Sequence, residues 1–169
     1  NLLWAKASFE EQDGDVDGAI EIYETLYAQN SSSVVVANNL ASLLATYRDD
    51  AASLDRAWTI ARRLRDADAP ALQDTYGWIL HRRGNSAEAL PYLEAAAQGL
   101  PNDPLVQYHL GQAYIALDQP QDALEQFRKA VEIAGPADTR PQIEDARVLV
   151  QSLQDAAPAE NRDEETTGE

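Results

Sequence analysis

A pattern of small and large apolar residues occurs twice in this chain at a spacing of 34 residues. The first copy consists of Gly77, Leu80, Ala89, Leu93 and Ala96, and the second of Gly111, Tyr114, Ala123, Phe127 and Ala130. A fixed period of this length is typical of helix-turn-helix arrays, in which each unit buries its apolar face only against its neighbours. The sequence therefore predicts an all-helical repeat protein.

Two weaker copies precede these. Ala7 lies 34 residues before Ala41, and small residues also mark the second helices. The interval from Ala41 to Ala57 is 16 residues instead of the 12 found in the other copies, so four residues are inserted near positions 48–51. We predict four repeats, with the insertion in a turn, because loop-closure entropy rises slowly with loop length.

The small residues and the helix starts have physical reasons. Two helices of a hairpin approach closely only where one side chain is small, so Gly77 and Gly111 are predicted at the crossings. Asp103 is predicted to cap a helix that begins at Pro104, where the missing N–H is harmless.

The third and fourth copies read Gly-Trp-Ile-Leu-His-Arg-Arg-Gly-Asn (77–85) and Gly-Gln-Ala-Tyr-Ile-Ala-Leu-Asp-Gln (111–119), and an Ala-Leu pair follows each. In these residues the chain resembles the tetratricopeptide repeat family, over about residues 1–134. The resemblance implies a right-handed α-solenoid of four helical hairpins. The first repeat departs from the family, with Lys6 and Glu10 where large apolar residues are usual. We therefore expect its first helix to pack loosely.

The predicted repeat domain covers residues 1–154, and an acidic disordered tail covers 155–169. The repeat domain consists of repeats at about 1–31, 32–69, 70–103 and 104–137 and a capping helix at 138–154. The apolar residues predicted to cover the last repeat are Ile143, Ala146, Val148, Leu149 and Leu153. The tail holds six acidic residues against one arginine and has no large apolar residue.

Charge and composition restrict the function. The net charge is −16, and a nucleic-acid backbone requires a basic face, so we expect no nucleic-acid partner. The basic cluster Arg56, Arg62, Arg63 and Arg65 is interrupted by aspartates and is expected on the solvated outside of a helix. The absence of cysteine excludes thiol catalysis. No segment approaches the ~20 apolar residues of a membrane span. Because the helical pattern begins at Leu2, we expect the solenoid to continue upstream.

Residues 13–24 offer a calcium-binding alternative. Asp13, Asp15, Asp17 and Glu24 match the spacing of a calcium loop, in which alternating carboxylates and a final glutamate bind one cation. The same residues also fit the turn between two repeat helices. Both structures cannot form together, because a helix from about Val16 would carry Glu24 about 10 Å along its axis from Asp17. The repeat favours the turn, and weak calcium binding remains the alternative.

No catalytic group is predicted. After subtraction of the 34-residue period, His81 and His109 are offset by six residues, roughly 9 Å of helix rise, and no third metal ligand accompanies them. The serines at 31–33 have no histidine or lysine base nearby in sequence and suit a helix start. We predict a noncatalytic protein without a cofactor.

In the family that the chain resembles, first helices line a concave groove that binds peptides or proteins. The resemblance places the lining three residues before, one after and four after each small crossing residue. The main candidates are Asn38, Ser42, Asp74, Trp78, His81, Tyr108 and Gln112. The remaining lining residues are Trp4, Ser8, Glu11, Ala45 and Ile115. None of them is lysine or arginine, which argues against capture of a peptide carboxylate. Core packing is the alternative for Trp78 and Tyr108, and Trp58 is expected in the core.

The predicted function is thus a protein-interaction scaffold. Residues 39–45 and 74–78 are more narrowly similar to repeat proteins of bacterial envelope systems for polysaccharide export or protein sorting. This similarity favours the periplasm or cell envelope over the cytoplasm. The alternative is a structural or self-assembling segment of a larger envelope protein.

Overall fold

The computed structural model describes residues 2–156, and this part of the chain is helical, without a β-strand. The helices are α1 (Leu2–Asp13), α2 (Val16–Gln29), α3 (Val34–Tyr47), α4 (Ala51–Ala61), α5 (Pro70–Arg82), α6 (Ser86–Gly99), α7 (Pro104–Ala116), α8 (Pro120–Ala134) and α9 (Pro141–Ala156). A short 3₁₀ helix, Arg62–Leu64, follows α4. The predicted all-helical repeat fold is confirmed. The predicted tail lies outside the described residues except for its first two, which belong to α9.

The chain divides into two compact units, residues 1–96 and residues 97–169. In the first unit, α1 packs on α2 and α3 packs on α4 as helical hairpins. Helix α3 also packs on α2, and α5 packs on both α3 and α4. In the second unit, α7 and α8 form a hairpin, and α9 packs against both of them. The first unit thus builds its core from stacked hairpins, and the second from one hairpin with α9 packed against it.

Both predicted helix crossings are found at glycine. A β-carbon at Gly77 would lie 2.9 Å from Leu93 Cγ, and one at Gly111 would lie 2.6 Å from Phe127 Cε1. Leu93 and Phe127 are fully buried at these crossings. Any larger residue would force the two helices of the hairpin apart, because packed interiors have no spare volume.

Aspartate side chains cap the starts of α7 and α2. Asp103 Oδ1 accepts hydrogen bonds from the amides of Leu105 and Val106, at 3.0 and 3.4 Å, and Pro104 occupies the first turn of α7. Asp15 caps α2 in the same way, through the amide of Gly18 at 2.9 Å. These caps satisfy amides that lack a partner within the helix.

Three of the four inserted residues lie in α4, and the turn before it stays short. The segment between α3 and α4 is only residues 48–50, and Asp50 caps α4 through the amide of Ser53. Helix α4 begins six residues before Ala57, whereas α6 begins three residues before Ala89. The extra residues are therefore about one additional helical turn at the start of α4, and this differs from the predicted longer turn.

The first helix buries little. Ala7 is the one buried residue of α1, and it is fully inaccessible. The Trp4 ring makes an edge contact with the Tyr23 ring of α2, at 5.6 Å between centroids. This agrees with the loose packing expected from the polar Lys6 and Glu10.

Two residues predicted in the core are partly or largely exposed. Trp58 is half-buried, and the guanidinium of Arg83 lies over its ring at 5.2 Å from the centroid. Val148 of α9 is 67% exposed, while Ile143 and Ala146 of the same helix are fully buried. The prediction failed for Val148 because α9 needs only one apolar stripe to cover α7 and α8. Within the part of the chain that the structure describes, no helix is long and apolar enough to cross a membrane.

Candidate protein-binding surfaces

In the first unit, the main predicted groove residues lie on α3 and α5, which pack side by side, and the further lining residues Trp4, Ser8 and Glu11 lie on α1. Asn38 and Ser42 of α3 are half-buried, and so is His81 of α5. Asp74 and Trp78 are buried, with 8% and 6% of their surface exposed. The first unit thus brings these five residues to one pair of helices, but the two that are buried offer little surface to a partner.

The contacts of Trp78 explain its burial. Its ring stacks on the His81 ring at 5.1 Å and 19° between planes. The Arg82 guanidinium lies 5.8 Å from the Trp78 centroid, and its Nη1 donates to the Ala45 carbonyl of α3 at 2.7 Å. His81 Nδ1 lies 3.0 Å from the buried hydroxyl of Ser86, at the start of α6. Arg82 and His81 therefore join α5 to α3 and α6, and the Trp78 ring packs against both of them. This burial agrees with the core alternative for Trp78.

In the second unit, Tyr108 and Gln112 of α7 meet an acidic residue of α9. The Tyr108 hydroxyl donates to Asp145 Oδ2 at 2.7 Å. Gln112 Nε2 donates to the Tyr108 hydroxyl at 2.8 Å and to Asp145 Oδ2 at 3.0 Å. Tyr108 is buried, Gln112 is half-buried and Asp145 is exposed. This three-residue polar cluster fixes α9 beside α7.

Sequence reasoning missed Asp145. Asp145 lies 33 residues after Gln112, one residue short of the repeat period. That offset would place the exposed Glu144 where Gly111 crosses, so the repeat register gives no signal for Asp145. The prediction treated α9 only as a cap.

Two exposed aliphatic residues lie one turn beyond this cluster. Ile115 follows Gln112 by three residues and is 37% exposed, and Val148 follows Asp145 by three residues and is 67% exposed. Helix α8 runs back between α7 and α9, so α7 and α9 run in the same direction. Ile115 and Val148 therefore lie on the same side of the polar cluster, one turn further along each helix. We call the residues Gln112, Ile115, Asp145 and Val148 the α7–α9 surface. It combines apolar area with one carboxylate.

Arginines join neighbouring repeats within the first unit. Arg56 of α4 forms a bidentate pair with Glu24 of α2, at 2.8 and 3.2 Å. Arg63 donates to the Ser31 carbonyl, and the guanidiniums of Arg56 and Arg63 lie 5.3 and 5.4 Å from the Tyr27 ring centroid. The predicted basic cluster is therefore exposed, and two of its members also hold α2 and the segment after it.

Three of the four candidate calcium ligands have other partners. Asp15 caps α2, Asp17 pairs with Arg48, and Glu24 pairs with Arg56. Asp13 ends α1, so residues 13–24 form a helix end, a turn and a new helix. Among residues 2–156, no group of three or more acidic, histidine or cysteine side chains could hold a metal ion.

A buried tyrosine links the first and second repeats. The Tyr23 hydroxyl donates to Glu11 Oε1 at 2.6 Å and accepts from Asn39 Nδ2 at 2.9 Å. Burial, together with the hydrogen bond to the Glu11 carboxylate, raises the pKa of Tyr23 to about 12. Tyr23 therefore stays neutral, as a donor, through the physiological range.

Comparison with known proteins agrees with this geometry. Residues 80–140 match the family described as tetratricopeptide repeat. The match extends from the end of α5 through α8. The predicted resemblance to this family is confirmed, while its narrower form, a polysaccharide-export or protein-sorting type, stays a prediction. None of the curated proteins matches the sequence.

Solved structures of tetratricopeptide-repeat proteins share the fold. A thermophilic protein of Thermus thermophilus is 23% identical with a TM-score of 0.61, over 90% of this chain and 79% of that one. MamA from the strain MSR-1 is 21% identical with a TM-score of 0.58, over 92% and 89%. MamA from Desulfovibrio magneticus is 20% identical with a TM-score of 0.53, over 91% and 92%.

Proposed function

We propose that this protein is a noncatalytic scaffold that binds a segment of a partner protein on the α7–α9 surface. Tetratricopeptide repeats generally serve as protein-interaction modules, and that broader role applies to this chain. The observation that supports the finer proposal is the exposed aliphatic pair, Ile115 and Val148, beside the polar cluster of Tyr108, Gln112 and Asp145.

The chemistry of this surface selects the partner segment. An aliphatic side chain of the partner would cover Ile115 and Val148, and this burial is the main source of affinity. A lysine or arginine of the partner would pair with the exposed carboxylate of Asp145, whose two hydrogen bonds from α7 hold it in place. The net charge of −16 also attracts a basic segment during the encounter.

The half-buried residues of the first unit form a separate candidate surface. Asn38, Ser42 and His81 present amide, hydroxyl and imidazole groups on α3 and α5. These groups suit the backbone of an extended segment, because they can donate to or accept from peptide groups. We also infer a bacterial envelope location, on the narrower sequence similarity alone.

The proposal can be tested with two synthetic peptides that differ at one position. The first, Ala-Ile-Lys-Leu-Ala-Ala, carries an aliphatic pair around a lysine, and the second replaces the lysine with glutamate. Titration into the isotope-labelled chain, followed by amide NMR, should move the signals of α7 and α9 with the lysine peptide. We expect at least fivefold weaker binding of the glutamate peptide and weaker binding of the lysine peptide at high salt.

Variants locate the binding surface. Val148→Ser should weaken the lysine peptide at least threefold, and Asp145→Asn should remove the preference for lysine over glutamate. Val35→Ser in the first unit is the matched control, since this valine is 55% exposed and lies outside the α7–α9 surface. Equal binding of both peptides, or unchanged binding by Val148→Ser, would contradict the proposal.

A further inference from the structure

A series of hydrogen-bonded polar side chains runs through the first unit from α1 to α3. Glu11 Oε1 accepts from the Tyr23 hydroxyl at 2.6 Å, and the Tyr23 oxygen accepts from Asn39 Nδ2 at 2.9 Å. Asn39 Oδ1 in turn accepts from Asn38 Nδ2, in a longer contact of 3.4 Å. We call Glu11, Tyr23, Asn39 and Asn38 the polar chain.

The carboxylate at one end imposes the direction of every hydrogen bond in the polar chain. A carboxylate has no hydrogen to donate, so the Tyr23 hydroxyl must donate to Glu11. The Tyr23 oxygen can then only accept, and this requires the Nδ2 side of the Asn39 amide. Asn39 Oδ1 is thereby turned towards Asn38, which must present its own Nδ2. Glu11 therefore fixes the orientation of an amide that is three hydrogen bonds away.

One acceptor is left over at the other end of the polar chain. Asn38 Oδ1 is fully covered and has no hydrogen-bond donor within residues 2–156. A covered acceptor without a donor is unfavourable, because it has lost its hydrogen bonds to water. A ligand that brings a donor to Asn38 Oδ1 recovers this loss, whereas a ligand that brings only an acceptor does not.

Asn38 lies on a face of α3 that the neighbouring helices leave partly open. Val34 precedes it by four residues and Ser42 follows it by four, so the three side chains share one face. Val34 is 46% exposed, and Asn38 and Ser42 are half-buried. Because α3 already packs on α2, α4 and α5, helices that come before and after it in sequence are in place around it. We call Val34, Asn38 and Ser42 the Asn38 face.

We propose that the Asn38 face binds a lysine side chain of a partner protein, whose ammonium group donates to Asn38 Oδ1. A compact ammonium on a flexible, unbranched stem reaches a covered acceptor more easily than a planar guanidinium does. The apolar stem lies against Val34. Charge also favours a cation, because residues 1–47 contain seven acidic residues and a single basic one, Lys6. This inference rests on the protein-binding role proposed above, but not on the α7–α9 surface.

Two small probes separate the hydrogen bond from the charge and the stem. N-acetyl-lysine methylamide carries three N–H donors on its side chain, and its Nε-trimethyl form keeps the charge and the stem but has none. Each is titrated into the isotope-labelled full chain, and the amide signals of residues 34–42 are followed by NMR. The lysine probe should bind about fivefold more tightly than the trimethyl probe. Asn38→Leu should remove this difference, because the acceptor is lost.

Tyr23→Phe tests the polar chain without touching the probe. Without the Tyr23 hydroxyl, Asn39 is no longer forced to donate in that direction, and the Asn38 amide can turn over. The preference for the lysine probe should therefore fall below about twofold. Tyr27→Phe is the matched control, because it removes a tyrosine hydroxyl one turn further along α2 and outside the polar chain. It should leave the fivefold preference unchanged.

Equal binding of the two probes by the parent chain would overturn the proposal, and so would the absence of a saturable change in α3 up to about 100 mM. A preference that survives Tyr23→Phe would also overturn it, because the orientation of Asn38 would then not depend on the polar chain. Failure of the α7–α9 surface is read separately, from the signals of α7 and α9, so the two proposals can fail independently.

Discussion

Helices α1 and α5 hold the same place in their repeats but differ in what they bury. In α1 only Ala7 is buried, whereas α5 buries seven consecutive residues, from Asp74 to Leu80. Helix α1 packs on α2, while α5 packs on both α3 and α4. Burial in this fold therefore depends on the number of neighbouring helices as much as on the side chain itself.

The comparison is tested most strongly at one shared position. Ile79 in α5 is fully buried, and Phe9 at the same position in α1 is 63% exposed. Ile79→Ala should lower the free energy of unfolding by about 3 kcal/mol, because it removes buried methyl groups and leaves a cavity. Phe9→Ala should change it by less than about 0.5 kcal/mol. Urea unfolding followed by circular dichroism measures both, and similar losses would contradict the contrast.

A second comparison is between the crossing glycine of α7 and an exposed position of the same helix. Gly111→Leu should destabilise the second unit by about 2 kcal/mol, because its side chain would overlap the Phe127 ring, already 2.6 Å from the β-carbon position. Ala116→Leu adds the same bulk at an exposed site on the same helix and is the control. Thermal unfolding compares the two variants. A stable Gly111→Leu would mean that the hairpin can open without loss.

Tyr23 joins the loosely packed first repeat to the second. Tyr23→Phe should lower the free energy of unfolding by about 1 kcal/mol at pH 7, because two side-chain hydrogen bonds are lost. The pKa of Tyr23 is raised from 10.0 to about 12, so the neutral form is favoured in the fold. Its contribution is complete below pH 10 and is lost as the pH rises from 10 to 12. Unfolding at several pH values should show this decline in the parent and a smaller one in Tyr23→Phe.

The smallest effect is expected from a substitution that makes α1 more like α5. Glu10 is half-buried at the position that Leu44 and Leu80 fill in later repeats. Glu10→Leu should raise the free energy of unfolding by about 0.5 kcal/mol, because apolar area replaces a partly buried carboxylate. Hydrogen exchange of the α1 amides should slow accordingly, while Gln12→Leu, at an exposed site, leaves it unchanged. Faster exchange in Glu10→Leu would show that Glu10 supports the helix.

The sequence predicted the fold well where the physical signal is local. The 34-residue period and the crossing glycines depend on small residues that recur at one place in each repeat, and the Asp103 cap depends on residues next to it in sequence. Trp58 was predicted in the core because of its register, but it is half-buried, since register alone does not show how far neighbouring helices cover a ring. One sequence alone does not show how neighbouring helices pack over a side chain.

The candidate surfaces were harder to predict, for a related reason. The family resemblance implied a lining role for Trp78 and Gln112, but it did not show that Trp78 stacks on His81 or that Gln112 reaches Asp145. Both contacts join positions from different turns or different helices. The groove residues of the first unit therefore stay predictions, and binding data must decide among them.

The extra turn at the start of α4 suggests how such a chain tolerates changes in length. Three added residues turn a helix by about 300°, which is about 60° short of a full turn, and Ala57 still faces the core, as its full burial shows. Two added residues would rotate the same face by about 200° and turn it to solvent. Insertions of three or four residues, about one helical turn, thus keep the buried face of such a helix towards the core, whereas insertions of two residues do not.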